Sequence, residues 1–284
     1  YNMQEIFLFY SQPFLACVAM AAILGYLGLH VLEREIIFID IALAQVSAVG
    51  ALIVHIFIHQ KEDSLLSYLS SLLLTIVFAL LYSLARKKVK EISIEAVIGI
   101  SYSLAAAGAL FLIGVSPGGH IHVQQMLSGS ILWATWKDVF LCTSLFCIIG
   151  IFLFILRKPF KILSKNYNNQ KNPVLNDFWW DFLFYIFMGA VITISVRIAG
   201  IVLVFAFLII PATVSAIINS SWKIRLYISW TVCILAIISG IIFAEKLDFS
   251  LGPSIVMFLG LELIFFSFIN LLYSLYLKHK RNKE

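Results

Sequence analysis

Nine apolar stretches, each long enough to cross a bilayer, constrain this chain more than any single motif in it. They lie at about 6–29, 36–58, 64–85, 94–115, 138–156, 178–196, 199–218, 226–244 and 251–277. Roughly 20 helical residues, at about 1.5 Å each, cover the ~30 Å hydrocarbon layer. In that layer the chain must satisfy its own backbone N–H and C=O groups, which leaves helices or closed barrels. The alternation of apolar and polar residues that a barrel strand needs does not run through these stretches. Composition agrees, because 62% of the 284 residues are hydrophobic and only 12% are charged. The fold class predicted is all-α integral membrane: a polytopic helical bundle of about nine transmembrane helices, forming one transmembrane domain. The first stretch is longer than a signal-peptide core and lacks a basic flank, so it counts as a span. The stretch 178–218 is too long for one helix, and "SVRIAG", with Arg197 and Gly200, marks the turn that divides it.

A net charge of +5 suggests a nucleic-acid partner until the charges are placed. Sixteen of the 20 basic residues fall in alternate loops and the C-terminal tail: Arg34, then Arg86–Lys90, Arg157–Lys171, Lys223 with Arg225, and the last seven residues. Cytoplasmic loops collect Lys and Arg, so this asymmetry places the N-terminus outside and the C-terminus in the cytoplasm. It reports topology and implies no nucleic acid. Cys17, Cys142, Cys147 and Cys233 sit in apolar runs without a C-x-x-C pair, and read as small hydrophobes.

Two segments depart from a plain bundle. Residues 116–137, "SPGGHIHVQQMLSGSILWATWK", break the fourth span at Pro117–Gly119 yet stay too apolar for a solvated loop. They fit a re-entrant segment at the mouth of a pathway, or an outer loop held at the headgroups by Trp133 and Trp136. Residues 200–220 carry Pro211, which removes a helix hydrogen bond. The small, weakly polar residues that follow, through about 221, fit either a short helix lying across the membrane face or a kinked helix end.

The chain has no G-x-x-x-x-G-K-[ST], no H-E-x-x-H and no G-x-S-x-G. It therefore lacks the common phosphate cradle and the commonest hydrolase signatures, and an energy source for transport must be another chain or an ion gradient.

Four pieces resemble, in order, the permeases of bacterial metal-ion ABC importers, those for zinc, manganese and iron. They are "FIDIALAQVSAVG" (38–50), "EAVIGISYSLAAAGALFL" (95–112), "GIVLVFAFLIIPATVSAII" (200–218) and "DFSLGPSIVMFLG" (248–260). The resemblance covers roughly residues 10–275. It implies a permease homodimer around a central pathway, a separate ATP-binding cassette ATPase beneath it, and an extracytoplasmic metal-binding protein, all at the bacterial cytoplasmic (inner) membrane. It implies a transport subunit rather than an enzyme, with no catalytic residues and no permanently bound cofactor, and with a divalent metal ion as cargo. It also implies that Pro211, Ala212, Thr213, Val214 and Ser215 lie at the ATPase groove. The alternative class is a secondary, gradient-driven transporter.

The second-span motif departs from the family's G-D-x-L-[SA]-H. Aligned on Leu43 and Gly50, Ile41 replaces the Asp and Gln45 the His, and a D-x-A-L-A-Q form of the superfamily fits better. Asp40 has two readings: an acid lining the pathway, since intramembrane acids often mark ion routes, or a structural acid paired with Arg34. Gln45 offers a neutral oxygen where imidazole would ligate zinc. His55 and His59 share a helix face, and His120 and His122 flank Ile121. Together they form a candidate relay for incoming metal, with boundary and turn positions as the plain alternative. Glu262 is the deepest acid, a possible ion or proton site or a protonated structural group. Glu95 opens its span and reads as structural.

Overall fold

The computed structural model describes residues 3–58, 64–88, 91–115, 131–167 and 177–281. These residues form helices throughout, with a single 3-10 turn at Ile131–Trp133. The long helices are α1 (Met3–Arg34), α2 (Ile39–Ile58), α3 (Leu65–Lys88), α4 (Ile94–Val115), α5 (Trp136–Ile155), α7 (Asp177–Ala199), α8 (Ile201–Ile218), α9 (Trp222–Leu247) and α10 (Leu251–Arg281). All nine are long and apolar enough to cross a membrane, as the sequence predicts. A short amphipathic helix, α6 (Arg157–Lys165), lies between α5 and α7.

The turn that divides 178–218 is at Gly200, whose φ of 81° is open to glycine and strained for other residues. Neighbouring α5 is started by a reciprocal cap. Thr135 Oγ1 accepts from the Asp138 N–H, and the Thr135 N–H donates to Asp138 Oδ2 at 2.9 Å.

The helices pack as two groups joined by α7. In one, α1 lies against α5, α8 and α9, and α10 closes on α8 and α9; in the other, α2 lies against α3 and α4. The α1–α8 contact is close: a Cβ added at Gly28 would lie 1.9 Å from the Leu208 carbonyl oxygen. The α2–α3 contact uses small polar residues, as helix pairs in lipid often do. Ser70 Oγ donates to the Gly50 carbonyl and Ser71 Oγ to the Ser47 carbonyl, each at 2.8 Å.

Polar contacts collect at the two ends of the bundle. At one end Arg197 of α7 donates to the Ser67 carbonyl and to Ser71 Oγ near the start of α3. At the other end lie the C-terminal ends of α1 and α3, helix α6, the N-terminal part of α7 and the α8–α9 turn. This arginine-rich end is organised by charge.

Candidate functional site

Two places in the bundle combine polar chemistry with access: the half-exposed face of α2 and the turn between α8 and α9. A buried charge network lies at the arginine-rich end.

That network centres on Asp181, four residues into α7. Arg34, the last residue of α1, donates from one guanidinium nitrogen to Asp181 Oδ1 at 2.9 Å, and Arg86 of α3 pairs with Oδ2. Arg34 is fully buried, and its Nε reaches Ser164 Oγ on α6 at 2.9 Å, where His30 Nδ1 also arrives at 2.8 Å. The Arg34 guanidinium stacks 3.9 Å over the Phe184 ring, and that of Arg86 lies 3.8 Å over Tyr167 and reaches the Tyr167 carbonyl at 3.0 Å. Burial, with the Asp181 carboxylate nearby, pushes the Tyr167 phenol up to about 12. Its hydroxyl lies 2.7 Å from that of Tyr185. One carboxylate thus ties α1, α3 and α7 together, with α6 clamped against them.

The sequence places Arg34 among the loop charges and offers it as a partner for Asp40. The structure corrects both points: Arg34 is a buried helical residue, and its charge is neutralised by Asp181. Asp40 sits instead in the first turn of α2, where the helix dipole favours an acid. It is 2% exposed, and its Oδ1 has no hydrogen-bond partner. Glu95, at the start of α4, has the structural role expected of it: Oε1 accepts the Phe38 N–H at 3.1 Å and pins the α1–α2 turn.

Along α2 the half-exposed positions Ile41, Gln45 and Val49 recur one turn apart between buried neighbours. Gln45 is the polar side chain on this stripe, and Asp40 lies off it. His55 is half-buried farther along α2. His59, His120 and His122 fall outside the described residues, as does the 116–130 part of the outer segment. No group of three or more His, Cys, Asp or Glu side chains suited to a metal occurs among the described residues. Glu262 of α10 is half-buried with Oε2 unpartnered.

The segment after Pro211 differs from the separate short helix that was one expectation. Helix α8 runs through Pro211 without a break to Ile218. The reason is length: from Gly200 the 18-residue helix covers about 27 Å, whereas a break at Pro211 would leave a span of about 15 Å. Pro211, Ala212, Val214 and Ser215 are buried and Thr213 is half-buried. Ser215 Oγ donates to the Ala212 carbonyl at 2.7 Å and Thr213 Oγ1 to the Ile209 carbonyl at 2.9 Å, so the small hydroxyls turn inward. The accessible surface begins beyond them, with Ala216, Ile218, Ser220, Ser221, Lys223 and Ile224. This turn is braced. Asn219 Oδ1 accepts the Ser221 N–H at 2.7 Å, and buried Arg225 reaches Glu33 of α1 at 2.5 Å.

Neither helix α6 nor the role of Asp181 is among the expectations drawn from the sequence. The signal for α6 was present: Arg157, Lys158, Lys161 and Lys165 interleave with Phe160 and Leu163 at helical spacing. Asp181 carried a weaker one, a lone acid just inside a span.

The model of the ABC 3 transport family matches residues 7–270. The high-affinity zinc uptake system membrane protein ZnuB of Buchnera aphidicola is 23% identical over 245 residues, which cover 86% of this chain and 91% of that one. A Haemophilus influenzae protein named "Probable iron transport system membrane protein" is 25% identical over 167 residues, 58% of this chain and 55% of its own. Among solved structures, a chain of PsaBC from Streptococcus pneumoniae in complex with Fab superposes with a TM-score of 0.75. It is 18% identical, covers 91% of this chain and is itself 90% covered. This last likeness concerns the fold.

Proposed function

The chain belongs to the ABC 3 transport family, and on that premise we propose that it is the permease subunit of an ATP-driven importer for a divalent transition metal ion. The match over residues 7–270 carries this reading. Zinc, iron and manganese are the candidate cargoes, the first two named for relatives. The chain has no phosphate-binding loop, so ATP hydrolysis belongs to a separate ATP-binding cassette subunit. Two copies enclose the pathway, in the bacterial cytoplasmic membrane. An extracytoplasmic binding protein delivers the ion, and the arginine-rich end faces the cytoplasm.

In this reading Gln45, on the half-exposed stripe of α2, is the polar group that a passing ion meets. A neutral amide oxygen binds a transition metal weakly, and a conduit must release what it binds. The ATPase grips the α8–α9 turn. Exposed Ile218 and Ile224 supply apolar contact. The Arg225–Glu33 pair carries the push into α1, and Pro211–Ser215 form the buried root of the turn.

Purification from the native host tests this assignment. The permease should retain an ATP-binding cassette chain, and a cysteine at Ser220 should cross-link to it. Ile218→Asp with Ile224→Asp should release the ATPase and leave the bundle folded. A permease that stays associated after those changes is gripped elsewhere.

A further inference from the structure

A groove of about 640 Å³ opens on the side of the bundle, lined by α1, α5, α6 and α9 and by no residue of α2. Its floor is α1, at Ala19, Ala22, Ile23 and Tyr26, and α5 and α9 form its walls. Along α5 it runs from Thr143 to Phe154, about 16 Å at 1.5 Å per residue. Small residues make the room: a Cβ at Gly150 would have Ile23 Cδ1 as its nearest neighbour, 3.9 Å away.

One end of the groove has a different character. Arg157, Lys158 and Lys161 of α6 line it together with Lys223 of α9, and no acidic side chain does. None of the four forms an ion pair with a carboxylate among the described residues. Trp222 stands beside them, with Lys161 Nζ 5.6 Å from its ring centre, and Trp230 donates its indole N–H to the Ala22 carbonyl at 3.0 Å. The groove is therefore an apolar slot in a membrane-spanning surface, closed at the basic, arginine-rich end by four cations and flanked by tryptophan.

From this arrangement we infer that the groove is a binding site for one anionic phospholipid, with an acyl chain along α1 and α5 and its phosphate among Arg157, Lys158, Lys161 and Lys223. Charge complementarity selects this occupant. A cation would be repelled, and a second copy of this chain would set the same four positive charges against these. A nucleotide or free phosphate would leave the apolar length of the slot unfilled. Basic pockets between spans are suited to acidic headgroups, and Trp favours the interface at that depth. Clamped by Ser164 to His30 and Arg34, α6 presents its basic face at a fixed height.

The test uses the full chain in detergent, with native mass spectrometry of retained lipid. Wild type should keep one phosphatidylglycerol per protomer and prefer it to phosphatidylcholine by on the order of tenfold or more, the scale set by several basic side chains near one headgroup. Changing Arg157, Lys158 and Lys161 together to Gln should abolish the preference. Gly150→Leu leaves all four cations in place and narrows the slot midway along α5, and should weaken retention of either lipid. Cys147 gives an independent readout, because it lines the groove and is exposed while the other three cysteines are buried. Its alkylation by N-ethylmaleimide should slow in phosphatidylglycerol and not in inorganic phosphate. Equal retention of both lipids by wild type and the triple variant would overturn the inference. Loss of the wild type's preference for phosphatidylglycerol on adding inorganic phosphate would overturn it in favour of a free anion at the four cations.

Discussion

Asp181→Asn removes one charge and keeps the side chain's shape, and it should be among the most damaging single changes in the bundle. Asp181 faces two guanidinium groups, Arg34 with a fully buried side chain and Arg86 with 14% exposure. If Asp181 served only as a hydrogen-bond acceptor, its loss would cost about 0.6 kcal/mol, the mean for such bonds between membrane helices. Leaving a buried charge uncompensated costs far more, roughly 3–5 kcal/mol. At roughly 2–4 °C per kcal/mol for a chain of this size class, the two accounts predict a Tm loss of about 2 °C or of about 6–20 °C. Thermal unfolding of the purified protein in detergent separates them, and the larger loss is expected. A second variant isolates the cause. Arg34→Met, Arg86→Met and Asp181→Leu together remove the charges of these three side chains and should recover most of the lost stability, since apolar replacements of buried ion clusters are often neutral or stabilising. A drop of about 2 °C for Asp181→Asn, or a triple variant no better than the single one, would refute the argument.

Other changes probe packing and pathway. Gly28→Ala places a Cβ against the Leu208 carbonyl and should force α1 from α8, at about 1–3 kcal/mol, read as a lower Tm. Thr135→Ala removes the Thr135 hydroxyl from the cap of α5 and should cost about 1 kcal/mol by the same assay. Gln45→Leu should leave Tm unchanged and lower metal uptake. Asp40→Asn should leave the half-saturating metal concentration unchanged, because Asp40 is sealed from the α2 stripe. A raised half-saturating concentration in Asp40→Asn would place that acid on the route.

What the sequence made legible follows from which forces are local. Span number and the Gly200 break were readable because hydrocarbon thickness fixes helix length and because only glycine easily takes the backbone angle at 200. The destination of Arg34 was not readable. Its partner lies 147 residues away on α7, and only packing brings the end of α1 to the start of α7. Asp40, six residues from Arg34, was the nearer acid in sequence and the wrong one. The continuity of α8 through Pro211 was masked for a related reason. Proline announces a local defect, whereas the need to cross the membrane on 18 residues overrides it. At the candidate site, Gln45 could be singled out as a departure from motif, but its place on the half-exposed face depends on how α2 seats against α3, α4 and α7.

The central claim is that this chain is a passive pathway worked by an ATPase at the α8–α9 turn. Metal uptake into vesicles holding the permease and its ATPase, with the metal-loaded binding protein outside, tests it most directly, with ATP and a proton gradient supplied in separate arms. The account predicts uptake that requires ATP and vanishes when the ATPase's phosphate-binding lysine is replaced. Uptake that persists without ATP and follows the gradient would contradict it.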